Sequence, residues 1–475
     1  MSRGAALGRV ARPLALGVYG ALLFATAPRW PDDWDGVGFL ESVRDFDLSR
    51  FRPHPPGYPV YVALLRVAAL VAGSPMGAGV LVAVASGVAT AALSWGSVRQ
   101  LVGERAAWMA AISIAVAPIA WRACSGVGSE APALACAAAC AWGLAAVRAR
   151  PGGRGMGGVV LGIAGGLGLG VRLSWAPLYL SALALCPREA RARASLVGGA
   201  TCLAWVVPLI ALVGPSRLAG IYAVHFAGHA RRWGGTLFTE PGPARLGWLL
   251  RDVLCDGLGI GPDAPGLAIG GLGLVATALG WSAWRDRGWG GGRAFLTAAG
   301  PYTLWIALGQ NLRDQPRHAL PLVALIAGAV GLLAARSRAA SCVAGALVAA
   351  IAWRTAIDAR ARMTIPPPAA QLVALLRAQP APASVAVFGA ASVRFFEGTE
   401  LAGRAWPAAS LGDVSLQLTR LDELPSRVWV TGELEGLESS PWPLDRVATL
   451  CRPPRLDRRR PCIDVFEWRL PFLPR

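Results

Sequence analysis

Residues 31–41 read PDDWDGVGFLE, and the carboxylates of Asp32, Asp33 and Asp35 stand within four positions just after an apolar run. Such acids can take a proton from a hydroxyl within hydrogen-bond reach, or they can satisfy a helix N-terminus in a solvated connector. The residues themselves leave both readings open. Of the fifteen acids before residue 358, six fall here: Asp32, Asp33, Asp35, Glu41, Asp45 and Asp47. Asp35, Phe39 and Glu41 are expected on a short helix. The chain then runs through SRFRPHPPGYPVY, where Pro53, Pro55 and Pro56 stiffen it and Gly57 lets it bend. A later polar stretch, YAVHFAGHARRWGG, sets His225 and His229 at i, i+4, on one helical face, followed by Arg231, Arg232 and Trp233. Two His with no third ligand nearby read as a polar patch touching an anionic headgroup or acceptor rather than as a zinc site. Trp233 and Trp248 read as interface anchors, with stacking on a sugar ring as the alternative.

The elements that must hold these groups are set by the bilayer. The mean hydropathy is +0.47, and only 16% of the 475 residues are charged, which points to a polytopic membrane protein. All 46 basic residues are Arg, and the formal charge is +18. The Arg excess sits in short clusters between apolar runs, which is a topology signal and not a nucleic-acid footprint. Eleven candidate transmembrane helices follow: the first run, then those near 76–98, 106–120, 130–148, 156–171, 173–187, 195–214, 265–284, 294–309, 319–335 and 340–357. Clusters at 148–154, 188–193, 285–293 and 336–338 are expected on the cytoplasmic side. Loop 28–57 is then outside only if an odd number of helices separates it from 99–105. Stretch 58–72 is short and carries Arg66, and 245–259 carries Arg251, Asp252 and Asp256. Both are therefore expected as outer juxtamembrane helices, with the N-terminus cytoplasmic.

Residues 1–357 hold 31 Arg against 15 acids, whereas 358–475 hold 15 against 13. This division gives a membrane domain, 1–357, and a water-facing extracytoplasmic domain, 358–475. The latter alternates a helix-like PPAAQLVALLRAQ with strand-like SVAVFGA, SRVWVTG and CIDVFEWR, as a small α/β or α+β domain would. Cys451 and Cys462 flank a polar loop and suit a disulfide on an oxidising side.

The acidic first loop with HPPGYPVYVALLR resembles the GT-C superfamily, membrane glycosyltransferases that use polyprenyl-phosphate-linked sugars, among them aminoarabinose transferases and protein O-mannosyltransferase-like families. The likeness continues at WRACSGVGSEAPAL, with Glu130 at an acidic helix start. It extends to GLGLGVRLSWAPL, a Gly-rich helix ending in Arg172, and to QPRHALPLVAL, where His318 replaces the usual Tyr. Order and spacing agree over residues 10–335.

That resemblance implies inversion at an anomeric carbon, with an acceptor hydroxyl attacking as the polyprenyl phosphate leaves. Asp35 stands where the superfamily has its first-loop acid and is the expected general base, with Asp33 second. Arg172, Arg313 and Arg317, with His318 beside them, are expected on the phosphate, because guanidinium groups give forked, charge-assisted hydrogen bonds. Glu130, His54, Tyr58, His225 and His229 complete the expected substrate-binding set. Asp33, Asp35 and Glu130 could share magnesium or manganese. The expected partners are a polyprenyl-phosphate sugar donor, a glycan, lipid or protein acceptor, and membrane lipid, in a bacterial-type inner membrane. A transporter or flippase would cluster polar groups at mid-membrane, and a non-catalytic envelope-assembly protein on this scaffold is the remaining alternative.

Overall fold

The computed structural model describes residues 3–149, 156–231, 234–287, 290–381, 384–421 and 424–469. Two compact units emerge. The first comprises Met1–Ala27 and Ser42–Arg360, and the second comprises Pro28–Glu41 and Ala361–Arg475. The first loop is thus divided: its acidic half, with Asp32, Asp33 and Asp35, packs with the C-terminal residues, and its Pro-rich half stays with the helices.

The first unit is helical because its segments are apolar runs punctuated by caps and prolines. Ser74, for example, accepts from Gly77 N to open the helix Pro75–Leu101, whose first residue is proline. Among the described residues, five helices are long and apolar enough to cross a membrane: Pro75–Leu101, Glu130–Ala149, Arg188–Val213, Pro316–Ala334 and Arg338–Arg377. Treating the bent pair Glu104–Val116 and Pro118–Cys124 as one span gives six. The 106–120 segment, expected as one straight span, instead breaks by 71° between these helices. Pro118 explains the break, since it disfavours the helical conformation at Ala117, which is extended at ψ 129°. Shorter apolar helices include Pro59–Ala72 and Met156–Val171. The 245–259 stretch is a short helix, Ala244–Arg251, continued by a π-turn, Asp252–Gly257. Of the Arg clusters at 148–154 and 285–293, residues 150–154 and 288–289 lie outside the described residues.

Glycine makes the close packing around Met156–Val171 possible. A methyl group on Gly143 would lie 2.6 Å from Gly157 O, and one on Gly162 would lie 2.5 Å from Ala194 O. The neighbouring helices therefore meet backbone to backbone, as small residues allow in membrane bundles.

The second unit is a mixed sheet, with β1 (Val385–Gly389), β2 (Ala405–Pro407), β3 (Arg427–Thr431), β4 (Leu444–Cys451) and β5 (Cys462–Trp468) in the order β2-β1-β3-β5-β4. β1 is parallel to β2 and β3, and β5 is antiparallel to β3 and β4. Alternation along β1 feeds two cores. Val385 and Val387 pack with Trp429, the helix Pro368–Arg377 and Val37 of the first loop. Ala386 and Phe388 pack with Val428, Val430 and the helix Leu411–Leu418. A disulfide joins Cys451 and Cys462 across the β4–β5 pair.

Candidate active site

In the helical unit, three chain segments meet at one carboxylate. Glu130 opens the helix Glu130–Ala149 and is buried. Arg172 follows the Gly-rich helix, where its N–H donates to Gly168 O and its carbonyl accepts from Trp175 N. Its Nη1 donates both to Glu130 Oε1 and to Ser129 Oγ at 2.8 Å. Arg317, on the 3-10 turn Pro316–Ala319, brings Nε to 3.5 Å from the same Oε1. Two guanidinium groups thus face one carboxylate. Arg172 Nε is buried with no hydrogen-bond partner among the described residues, so donor capacity remains.

Aromatic side chains fix the surroundings. Tyr61, fully buried on the helix Pro59–Ala72, accepts from Gly128 N at 2.9 Å. A Cβ on Gly128 would lie 2.3 Å from Glu130 Oε2, so a side chain there would displace that carboxylate oxygen. His318 is buried, and its carbonyl accepts from Tyr302 Oη at 2.8 Å. Tyr302 in turn meets Trp175 edge-on.

The Pro-rich half of the first loop forms a neighbouring cluster. His54 Nε2 and Tyr58 Oη are 2.8 Å apart. Tyr58 sits in the left-handed region at φ 47°, a conformation that costs a residue with a side chain about 1–3 kcal/mol unless its surroundings hold it. Tyr222 supplies part of that hold by donating to Pro56 O at 2.9 Å. Arg217, on the same helix Pro215–Arg231, donates to Ser49 Oγ and pairs with Asp47 at 3.3 Å. Hydrogen bonding from Ser49, reinforced by Arg217, holds the Asp47 carboxyl below the usual aspartate range. His225 and His229 lie on this helix, their ring centroids 4.7 Å apart. Arg232 and Trp233 lie outside the described residues. Arg313 is largely exposed and pairs with Glu240 at 2.9 Å.

In the second unit the three aspartates separate by role. Asp32 is bound by Arg362 and, at 3.1 Å, by Arg452 Nη1. Asp33 Oδ1 accepts from Gly36 N at 2.9 Å and caps the helix Trp34–Ser42. Asp35 is buried in that helix's first turn. Among the described residues no group of three or more His, Cys, Asp or Glu side chains could hold a metal ion. Glu130 Oε1 already faces two guanidinium groups, which disfavours a cation at the same oxygen. Sequence reasoning missed Tyr61, Ser129, Tyr302, Arg362 and Arg452. Only Tyr61, inside the HPPGYPVY string, carried a local signal.

Residues 53–213 match the family model described as dolichyl-phosphate-mannose-protein mannosyltransferase. ArnT from Cupriavidus metallidurans shares the fold, with a TM-score of 0.59 at 15% identity over 98% of both chains. The likeness to that family covers residues 53–213, and the likeness to ArnT is one of fold. The same ArnT bound to undecaprenyl phosphate matches this chain with a TM-score of 0.60 at 12% identity, over 98% of this chain and 99% of that one. The archaeal oligosaccharyltransferase AglB from Archaeoglobus fulgidus, in complex with an inhibitory peptide and a dolichol-phosphate, matches at 0.51 and 13% identity, over 90% and 70%. No curated protein matches the chain by sequence. The long apolar helices among the described residues are of the number and length that a multi-pass membrane protein needs.

Proposed function

We propose that this chain is an inverting glycosyltransferase that takes a sugar from a polyprenyl-phosphate carrier and passes it to a glycan, lipid or protein acceptor. The reading rests on the pair of guanidinium groups that Arg172 and Arg317 bring to Glu130, on a fold whose similar structures have been solved with lipid phosphates. In this reading Asp35 accepts the proton of the acceptor hydroxyl as the new bond forms at the anomeric carbon. The bond from that carbon to the phosphate oxygen breaks, and the carrier phosphate departs with the electron pair. Arg172 and Arg317 stabilise the charge that develops on it, which is the largest lever available to such a site. Glu130 holds both guanidinium groups in place. Asp33 keeps its capping role, and His54, Tyr58, His225, His229 and His318 contribute to binding. The Arg clusters expected on the cytoplasmic side and the disulfide between Cys451 and Cys462 favour an extracytoplasmic site in a bacterial-type inner membrane.

The test is sugar transfer from radiolabelled polyprenyl-phosphate sugars by purified protein in lipid, comparing wild type with Asp35→Asn, Asp33→Asn and Arg317→Ala. Folded Asp35→Asn protein should lose transfer, and Arg317→Ala should weaken use of the carrier. Equal rates in wild type and Asp35→Asn would place the base elsewhere.

A further inference from the structure

The second unit holds a device around residues 32–36 that the proposed chemistry does not itself require. Arg362 grips Asp32 with two nitrogens, Nε lying 3.1 Å from Oδ1 and Nη2 bonding Oδ2. Arg452 Nη1 adds a third hydrogen bond at 3.1 Å. Neither arginine is a surface residue: the side chains are 3% and 0% exposed. Burying two guanidinium groups is unfavourable unless a carboxylate meets them in good geometry, so this contact is built and not incidental.

Arg452 is fixed from both sides. It follows Cys451 directly, its N–H donates to Pro461 O at 2.7 Å, and the disulfide to Cys462 closes the loop. Gln371 Nε2 binds Cys451 O at 2.9 Å and Pro366 O at 2.8 Å, tying the loop to the helix Pro368–Arg377. The far side of the loop is held by Arg460, which pairs with Glu433 at the end of β3. The same loop reaches Trp34, two residues after Asp32, since Arg459 lies 5.7 Å from its ring centroid. Arg394 lies 5.8 Å from it. Asp33, finally, is spent on Gly36 N.

We infer that Asp32, with Arg362 and Arg452, is a positioning residue: the disulfide-closed 452–461 loop clamps the backbone that carries Asp35 and fixes the direction of its carboxylate. This deepens the glycosyltransferase reading and rests on it.

The test uses the full chain in lipid with a polyprenyl-phosphate sugar as donor. Transfer kinetics are measured for Asp32→Ala, Asp32→Glu and Arg452→Gln beside wild type and Asp35→Asn, and amide exchange of residues 33–41 is followed in the same samples. Asp32→Ala should lower kcat about a hundredfold, the scale of an ångström of misplacement, with donor KM held within about twofold. Exchange at 33–41 should rise, and Asp32→Glu should recover most of the rate. Should Asp32→Ala fail to fold, opening the exposed disulfide of wild type with a dithiol gives the same readout: kcat falls and returns on reoxidation. Undisturbed kcat in Asp32→Ala while Asp35→Asn is inactive overturns the positioning role and leaves the glycosyltransferase reading standing. Undisturbed exchange at 33–41 overturns the clamp whatever the rate. A wild type that transfers no sugar to any acceptor, with exchange still raised in Asp32→Ala, overturns the glycosyltransferase reading and the positioning role with it.

Discussion

Arg172 Nη1 stands 2.8 Å from Glu130 Oε1, with the two side chains only 5% and 9% exposed. With so little solvent to screen it, the pair is both a structural contact and the fixed base on which Arg317 rests.

Removing one partner leaves a buried charge, which costs about 3–5 kcal/mol. Glu130→Gln and Arg172→Gln are each expected to lower thermal stability on that scale, and the double variant should lose less than the sum. A double-mutant cycle on melting in lipid checks this. Strict additivity would mean that the pair is not energetically coupled.

Gly128→Ala is the sharpest probe of the carboxylate's position. The added methyl would collide with Glu130 Oε2, so Glu130 must swing away from Arg172. Transfer should fall by at least about tenfold, or 1.4 kcal/mol at the transition state. Ser129→Ala, which removes one acceptor from Arg172, should cost less.

Asp47 makes stability depend on acid. Its folded carboxyl is held below the ordinary value of 3.8, so the unfolded chain takes up the proton first as pH falls. The contribution is therefore complete above the ordinary value and is lost as pH drops through the lower folded value. Melting followed from neutral pH into that range should show a steeper loss in wild type than in Asp47→Asn. Parallel curves would refute the assignment.

Thiol labelling of the intact protein should reach Cys451 and Cys462 only after reduction. Their replacement by serine should cost about 3 kcal/mol by loop-closure entropy. Labelling of both without reductant would exclude the bond.

The helix contacts at glycine predict a different failure. Gly162→Val would push a side chain into Ala194 O, and overpacking of this kind costs about 1–3 kcal/mol. Gly165→Val on the same helix, where a Cβ meets nothing within 4 Å, should be tolerated. Melting of the two variants compares them directly.

Much of this was legible because it is written in local patterns. Apolar runs announced helices, and VAVFG, RVWVT and CIDVFEW announced β1, β3 and β5. β2 escaped because three residues, one of them Pro407, carry no periodicity. β4 escaped because its strand, LDRVATLC, has a register shift between Arg446 and Ala448. At the site, Glu130, Arg172 and Arg317 were legible in the order and spacing of family-like segments, and the structure brings them together. The clamp on Asp32 was not legible, since an ion pair between residues 330 or 420 positions apart leaves no mark on either neighbourhood. Arg313 shows the converse: its place near Arg317 in sequence suggested a shared task, but its side chain turns to Glu240.

Those separations also bear on biosynthesis. At about 5–20 residues per second, the ribosome finishes Arg452 roughly 20–80 seconds after Asp32 has been made. Helices of the first unit can insert and pair as they emerge, but the acidic half of the first loop must wait for the end of the chain before its fold is complete. A nascent chain therefore assembles its lipid-facing scaffold first and its acid-bearing turn last, so the carboxylates acquire their final geometry only in a protein that has been synthesised to the end.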